Sequence, residues 1–330
     1  MLINYNLWMD VQMLISGSRY VQITGMSGRL SWHSIPVQEV TPAWLAGKGI
    51  RLDILRLDKL HPLVSGNKWF KLKHHLIKAR FDGFTTLLSF GGAWSNHIHA
   101  LAAAGRETGI RTLGVIRGER PRKLSETLKD VESWDMQLHF VSRSDYRLKH
   151  DPGFQSRLLS DLGLAPEKVL IIPEGGSGKM GVRGSEEILA AGGVDPGRYH
   201  EIWLACGTGA TMAGVIRSTK GEGLVRGVAV LKGGDFLRDE IGQYLRPEQA
   251  NWQLETQGHC GGYGRTNTEL VEFIQAFELD TGVPLDQVYV GKVLLQLKKK
   301  IDNGWPGRQC RLLVIHTGGL QGKRGLQPDT

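Results

Sequence analysis

The segment EIWLACGTGATMAGVIR, residues 201–217, predicts a buried β-strand, a glycine-rich loop and a helix in direct succession. Glu201 to Ala205 is a short apolar run, and Thr211 to Arg217 opens a helical pattern. The glycines between them allow a ligand to approach the backbone, and the loop amides and hydroxyls suit a phosphate. A tight strand-to-helix turn is the simpler alternative. Either reading indicates an α/β unit.

Short β-type runs alternate with helical patterns on both sides of this segment. The predicted strands are Ile50 to Leu57, Phe84 to Phe90, Thr112 to Ile116, Leu138 to Val141, Val169 to Ile172, Val225 to Leu231 and Arg311 to Ile315. The predicted helices are Trp69 to Lys78, Ala100 to Glu107, Lys123 to Trp134, Phe154 to Leu162, Val182 to Ala191, Leu237 to Leu245, Glu269 to Phe277 and Val293 to Ile301. This alternation predicts parallel sheets with helices on both faces.

Two other phosphate-binding motifs do not fit the sequence. A dinucleotide fingerprint requires a third glycine where the chain has Met212. A Walker A loop requires Gly-Lys followed by Ser or Thr, and the nearest match, Gly178-Lys179-Met180, lacks that hydroxyl. The first alternative function, a nucleotide-binding oxidoreductase, is therefore disfavoured.

Composition places the chain among ordinary globular proteins. Its 330 residues are enough for two domains, and its net charge of +8 comes from scattered Lys and Arg without a nucleic-acid-binding motif. Three well-separated cysteines lack zinc-site spacing and indicate free thiols in a reducing compartment. No apolar run reaches membrane-spanning length. We therefore expect a cytoplasmic protein with neither nucleic acid nor membrane as its partner, and with no metal site.

Two further loops carry candidate residues. The turn Ser65-Gly66-Asn67-Lys68 leads into a predicted helix, whose dipole disfavours the ammonium form of a lysine at its start. A neutral amine is what Schiff-base chemistry requires, although an ordinary exposed lysine would look the same. The loop Gly91-Gly92-Ala93-Trp94-Ser95-Asn96-His97 follows a predicted strand and could bind a carboxylate or phosphate, or only cap a helix.

Three candidates lie near the C-terminus. Tyr263 stands in Gly261-Gly262-Tyr263-Gly264, and Tyr289 in Val288-Tyr289-Val290-Gly291-Lys292. Each alone is typical of a core aromatic residue whose hydroxyl finds a partner. The run His316-Thr317-Gly318-Gly319 ends the last predicted strand, and the carboxyl ends of strands are where open α/β sheets bind ligands.

These motifs, in this order, resemble the 1-aminocyclopropane-1-carboxylate (ACC) deaminase / D-cysteine desulfhydrase family of pyridoxal 5′-phosphate (PLP) enzymes. The resemblance runs from about Ile50 to Gly319. It implies PLP fold type II, the tryptophan-synthase-β-like class, with two open, twisted, mostly parallel sheets flanked by helices. The joint occurrence of the motifs is far more specific than any one of them.

The resemblance also implies roles for individual residues. Lys68 would be the aldimine lysine and proton shuttle, and Lys71 would help to neutralise the cofactor phosphate. Asn96 would contact the cofactor ring, and Ser95 would lie near the reacting carbons in the loop that holds the substrate carboxylate. Tyr263 and Tyr289 would act as acid/base or positioning groups, and Thr317 would face the pyridine nitrogen. The phosphate would be bound by Gly207, Thr208, Gly209, Ala210 and Thr211.

One position departs from the family pattern. ACC deaminases are expected to have a glutamate directly after the tyrosine that matches Tyr289, and this chain has Val290. A carboxylate there would keep the pyridine nitrogen protonated and strengthen the ring as an electron sink. Thr317 offers only a neutral hydroxyl. The expected reaction is therefore β-elimination of a D-cysteine-like substrate, with ACC deamination as the alternative, although Val290 also departs from the threonine of good D-cysteine desulfhydrases. The second alternative function is a catalytically degenerate protein that binds PLP or an amino acid without turnover.

The resemblance implies a domain division and a homodimer acting on a small amino acid. We expect a large PLP-binding domain of residues 34–71 and 176–330, with a small α/β domain of residues 72–175 inserted in it. Residues 1–33 show no clear periodicity and no signal peptide, which predicts a poorly ordered N-terminal extension, with Met26 as an alternative start.

Overall fold

The computed structural model describes residues 34–305 and 309–325. The strands are β1 (Val37–Val40), β2 (Ile50–Arg56), β3 (Thr86–Gly91), β4 (Arg111–Arg117), β5 (Gln137–Val141), β6 (Val169–Ile172), β7 (Glu201–Cys206), β8 (Leu224–Ala229), β9 (Trp252–Glu255) and β10 (Cys310–His316). The helices are α1 (Asn67–Phe81), α2 (Asn96–Thr108), α3 (Glu126–Ser133), α4 (Arg143–Arg147), α5 (Pro152–Asp161), α6 (Lys179–Ser185), α7 (Ile188–Ala191), α8 (Ala210–Thr219), α9 (Leu237–Gly242), α10 (Thr268–Thr281) and α11 (Val290–Asp302).

These strands form two open sheets. One has the order β1-β2-β10-β7-β8-β9, and the other has the order β5-β4-β3-β6. Within the described residues every strand pairing is parallel except that of β1 with β2. The predicted α/β class with two mostly parallel sheets is confirmed. The smaller sheet draws its strands from residues 86–172, inside the stretch proposed as the inserted domain.

Buried apolar residues form three clusters. The largest joins both sheets, because it includes Leu55 of β2, Leu87 of β3, Ile98 of α2 and Val215 of α8. The second packs α10 and α11 on the larger sheet, and the third packs α5 on the smaller one. Parallel strands buried on both faces account for the nearly continuous apolar runs in the sequence.

The structure differs from the sequence prediction in several elements. The single helix expected from Val182 to Ala191 is two short helices, α6 and α7. The edge strands β1 and β9 were not predicted, because each has only four residues and is incompletely buried. The helix α6 lies close to α1, since a Cβ on Gly184 would stand 1.7 Å from the Phe70 carbonyl oxygen.

Two further expectations concern the N-terminal extension and membrane-spanning helices. The proposed extension, residues 1–33, lies outside the described residues. Among the residues that are described, no helix is both long and apolar enough to cross a membrane.

Candidate functional site

The predicted site residues gather where parallel strands end. The glycine loop follows β7, the Thr317 segment follows β10, and the Ser95 loop follows β3. The lysine turn packs directly on the Thr317 segment, where the Asn67 amide donates to the Thr317 carbonyl oxygen at 3.2 Å. Gly66 has φ 67°, and a Cβ there would lie 2.0 Å from the same oxygen, so only glycine fits this contact. The chain is thus forced to present Lys68 at the start of α1.

Lys68 has the electrostatics of a nucleophilic amine. Burial lowers its pKa to about 8, and the negative charge of Asp286 opposes this shift. Its Nζ donates a 2.8 Å hydrogen bond to Asn67 Oδ1 and lies 5.7 Å from the centre of the Tyr289 ring. A substantial fraction of the amine is therefore neutral near physiological pH.

The glycine loop is joined to the lysine turn by two side-chain bonds. Asn67 Nδ2 donates to Thr211 Oγ1 at 2.8 Å, and Lys71 Nζ donates to Thr208 Oγ1 at 3.2 Å. Gly209 has φ 78° and immediately precedes α8, so the loop amides lie at a helix N-terminus. The predicted phosphate loop and the two predicted lysines therefore occupy one site.

Lys71 is a buried amine without a balancing anion among the described residues. It is 3% exposed, and within the described residues no carboxylate forms an ion pair with it. Burial lowers its pKa well below the usual range, and repulsion by Lys68 adds to this. A bound phosphate would supply the missing negative charge. This is the observation by which the site fits a phosphorylated cofactor such as PLP.

The Ser95 loop caps α2 and brings Asn96 against the Thr317 segment. Ser95 Oγ accepts a 3.2 Å bond from the Ile98 amide and caps α2, as the simpler prediction held. Asn96 is buried, and its Oδ1 accepts a 2.7 Å bond from Gln321 Nε2. A Cβ on Gly319 would lie 2.5 Å from Asn96 Nδ2, which brings Asn96 against the end of the Thr317 segment. Within the described residues Ser95 forms no side-chain hydrogen bond with Lys68.

Tyr263 and Tyr289 form a pair. Their hydroxyls are 3.0 Å apart and their rings meet edge to face. Desolvation raises the pKa of both groups, that of Tyr289 well above its usual value. Tyr263 is 47% exposed, so the pair opens to solvent on one side. Both hydroxyls stay protonated at neutral pH and can donate to a departing group.

Thr317 itself brings no charge to this segment, although the neighbouring His316 Nδ1 lies 3.6 Å from the Asp58 carboxylate. Thr317 is buried, and within the described residues no side-chain bond engages its hydroxyl. His316 orients this segment, because its Nδ1 accepts from the Gly318 amide at 3.2 Å and its Nε2 donates to the Pro284 carbonyl oxygen at 2.8 Å. Val290 is fully buried and packs in the apolar cluster under the larger sheet.

Sequence reasoning missed several residues of this site. Asp286 is the carboxylate whose charge reaches Lys68, but its oxygens accept from the amides of Val288, Tyr289 and Val290 at 2.7–2.9 Å. Its bonds to amides two to four residues further on form an Asx turn, a local pattern typical of aspartate, and this is the sequence signal that could have found it. Lys292 is completely buried, and its Nζ donates to the Gly262 carbonyl oxygen at 2.7 Å, directly before Tyr263.

Comparison with known proteins gives relatives over most of the chain. No family model matches. The bifunctional D-cysteine desulfhydrase/1-aminocyclopropane-1-carboxylate deaminase of Arabidopsis thaliana is 29% identical over 297 residues, covering 83% of this chain and 73% of that one. The D-cysteine desulfhydrase of Yersinia pestis is 26% identical over 293 residues, covering 82% and 87%.

A solved structure of an ACC deaminase homologue aligns with a TM-score of 0.75 at 24% identity, covering 88% of this chain and 90% of the other. The fold is that of PLP fold type II. The resemblance of this chain to the ACC deaminase / D-cysteine desulfhydrase family, carried first by its motifs, is thereby confirmed.

Proposed function

We propose that this protein is a PLP-dependent enzyme that eliminates the β-substituent of a small, D-cysteine-like amino acid. The observation that carries the proposal is the pair of bonds joining Lys68's turn to the glycine loop, from Asn67 to Thr211 and from Lys71 to Thr208. They bring a low-pKa lysine next to the glycine loop that would bind the phosphate, in a chain whose curated relatives are named for this chemistry.

The chain's residues divide the work of holding the cofactor. Gly207 to Thr211 and Lys71 would bind the phosphate, Asn96 would contact the ring, and Thr317 would face the pyridine nitrogen. Lys68 would attach the cofactor through its neutral amine. When bound there, PLP withdraws electrons from the α-carbon of an attached amino acid.

The remaining residues would act on the substrate. The Ser95 loop would hold the α-carboxylate, and Lys68 would remove the α-proton. The protonated pair of Tyr263 and Tyr289 would donate to the departing sulfur. The α C–H and β C–S bonds break, a carbon–carbon double bond forms, and sulfide leaves with the bonding electrons. Addition of water to the released enamine gives pyruvate and ammonia, with no net oxidation.

If Thr317 faces the ring nitrogen, the lack of a charged side chain at Thr317 and at Val290 would favour elimination over ACC ring opening. Val290 is packed in the apolar core and Thr317 carries only a hydroxyl. The carbanion is then stabilised less by the ring, so rapid loss of a β-substituent is the efficient exit. The Asp286 carboxylate accepts from the amides of Val288, Tyr289 and Val290, so its oxygens are already engaged by the backbone.

The test is product release by the PLP-loaded protein. We expect pyruvate from D-cysteine or β-chloro-D-alanine to form faster than 2-oxobutyrate from ACC. Substrates of both chiralities should be compared in one coupled assay. If ACC is the faster substrate, the electronic argument is wrong and ACC deamination takes its place. If neither product forms, the protein binds PLP or an amino acid without turnover.

A cytoplasmic homodimer is a further part of the proposal. The cytoplasmic location rests on the buried free thiols Cys206 and Cys310. The homodimer rests on the family resemblance. Sedimentation equilibrium of the PLP-loaded protein should give the mass of two chains. The mass of one chain would contradict the homodimer.

A further inference from the structure

Gln321 forms a tertiary hydrogen bond with a residue of the candidate site. It lies in the segment Leu320–Gly325, which follows the Thr317 segment at the end of β10. Its Nε2 donates to Asn96 Oδ1 at 2.7 Å. Asn96 opens α2 after β3 of the smaller sheet, so the bond joins the C-terminal part of the larger sheet to the smaller one. Gln321 therefore reaches the site only through Asn96.

This bond sets the orientation of the Asn96 amide, which has one accepting and one donating end. With Oδ1 taken by Gln321, Nδ2 points the other way, where a Cβ on Gly319 would lie 2.5 Å from it and 3.7 Å from Tyr289 Cδ2. Among the described residues no group accepts a hydrogen bond from Nδ2. Lys68 Nζ lies 5.7 Å from the centre of the same tyrosine ring. The free donor of Asn96 thus lies on the side of the reactive lysine.

The segment that carries Gln321 is anchored on both sides of the site. The Gly322 carbonyl oxygen accepts a 2.9 Å bond from Gln287 Nε2, just before α11 on the larger sheet. Arg324 pairs with Asp130 of α3, which belongs to the smaller half of the molecule. These bonds hold the backbone on each side of Gln321, so its side chain is presented to Asn96 in one position.

We propose that Gln321 is a positioning residue, which holds the Asn96 amide with its N–H end toward the cofactor so that Asn96 donates to the ring oxygen of PLP. The inference rests on the proposed function, which assigns contact with the ring to Asn96. A ring oxygen that carries negative charge accepts such a bond strongly. An amide rotated by half a turn would place its own carbonyl oxygen there and repel that charge.

The test is the absorption spectrum of the PLP-loaded protein at fixed pH. The form with an anionic ring oxygen absorbs in the visible and the form with a proton on that oxygen absorbs in the near ultraviolet, so the ratio of the two bands reports on the bond from Asn96. Gln321→Met removes the donor without adding charge, and the residue is only half-buried, so the variant should fold. Arg324→Met is the matched control, since it loosens the same segment and keeps Gln321.

We expect Gln321→Met to lower the ratio of visible to ultraviolet absorbance by about threefold or more, a part of what one hydrogen bond to a charged group contributes. Gln321→Glu should lower it further, because a carboxylate only accepts and would turn the Asn96 amide around. Arg324→Met should keep the wild-type ratio. An unchanged ratio in Gln321→Met, or an equal fall in Arg324→Met, would overturn the proposal.

A double variant shows whether Gln321 acts through Asn96. Asn96→Ala removes the donor itself and should lower the ratio at least as far as Gln321→Met does. In the Asn96→Ala background, Gln321→Met should then change nothing more, since two residues that act through one bond are not additive. Two effects that add independently would mean that Gln321 acts on the cofactor by another route, which contradicts the proposal.

The inference and the proposed function fail separately. A band ratio that depends on Gln321 through Asn96 supports the inference even if no pyruvate is released from any β-substituted amino acid. Conversely, pyruvate release from D-cysteine with a ratio indifferent to Gln321 leaves the proposed function standing and removes this inference. Wild-type protein that takes up no PLP would overturn both.

Discussion

At the scale of single residues, the chemistry depends on the protonation of Lys68. Burial lowers its pKa to about 8, so the ammonium form dominates below that pH and the neutral amine above it. Only the neutral amine attacks the PLP aldehyde. The rate at which stripped protein captures PLP should therefore rise as pH increases and level off above about pH 8. Stopped-flow absorbance measures this rate.

The same lysine can be identified chemically. Borohydride reduction followed by peptide mapping should place the phosphopyridoxyl group on Lys68, and Lys68→Ala should remove both the label and the yellow colour. Label on another lysine would refute the assignment. A capture rate that stays flat across this pH range would show instead that burial does not control the amine.

Lys292 illustrates a residue that acts through another. Its buried Nζ holds the Gly262 carbonyl at 2.7 Å, and Tyr263 follows directly. Lys292→Met leaves that carbonyl without its donor and frees the loop, so kcat for β-elimination should fall about tenfold or more while PLP affinity stays within about twofold. Lys299→Met is the control, because Lys299 lies on the same helix and pairs with Glu269 at the surface. A loss of PLP affinity as large as the fall in kcat in Lys292→Met would indicate general unfolding.

At the scale of elements, the glycine loop depends on backbone geometry. Gly209 has φ 78°, and a Cβ there would lie 3.0 Å from Ile241 Cγ1. Gly209→Val should weaken PLP affinity sharply, because the loop must shift away from α9 and carries its amides with it. Gly221→Ala is the matched control, since Gly221 follows α8 with φ 93° and has open space around it. Gly221→Ala should lower the melting temperature and leave PLP affinity unchanged. Equilibrium dialysis measures the PLP affinity of both variants. Unchanged affinity in Gly209→Val would favour the simple turn.

The elements also show what sequence can and cannot predict. The period of apolar residues predicted nearly every long helix and buried strand, because these patterns follow from local burial. The glycine loop and the lysine turn were predicted from their motifs, because the residues of each motif are contiguous in the sequence. Gln321 and Lys292 gave no signal, because their partners are Asn96 and Gly262, which only the tertiary structure brings near.

At the scale of the whole molecule, the two sheets share one apolar core. The largest cluster runs from Leu55 and Leu204 in the larger sheet to Leu87 in the smaller, through Ile98 of α2 and Val215 of α8. The segment Leu320–Gly325 adds polar links, since Gln321 bonds to Asn96 and Arg324 pairs with Asp130 of α3. Neither sheet can lose its packing without exposing the other's apolar surface.

This shared core predicts a single unfolding transition in scanning calorimetry, both without and with PLP. PLP should raise the melting temperature by several degrees without splitting the peak, because a ligand at about 100 times its Kd adds about 2.7 kcal/mol to the free energy of unfolding. Lys68→Ala should retain part of this shift, since Lys71 and the glycine loop would still bind the phosphate. Two resolved peaks, or a PLP shift confined to one of them, would mean that residues 72–175 unfold independently and that the cluster between the sheets contributes little.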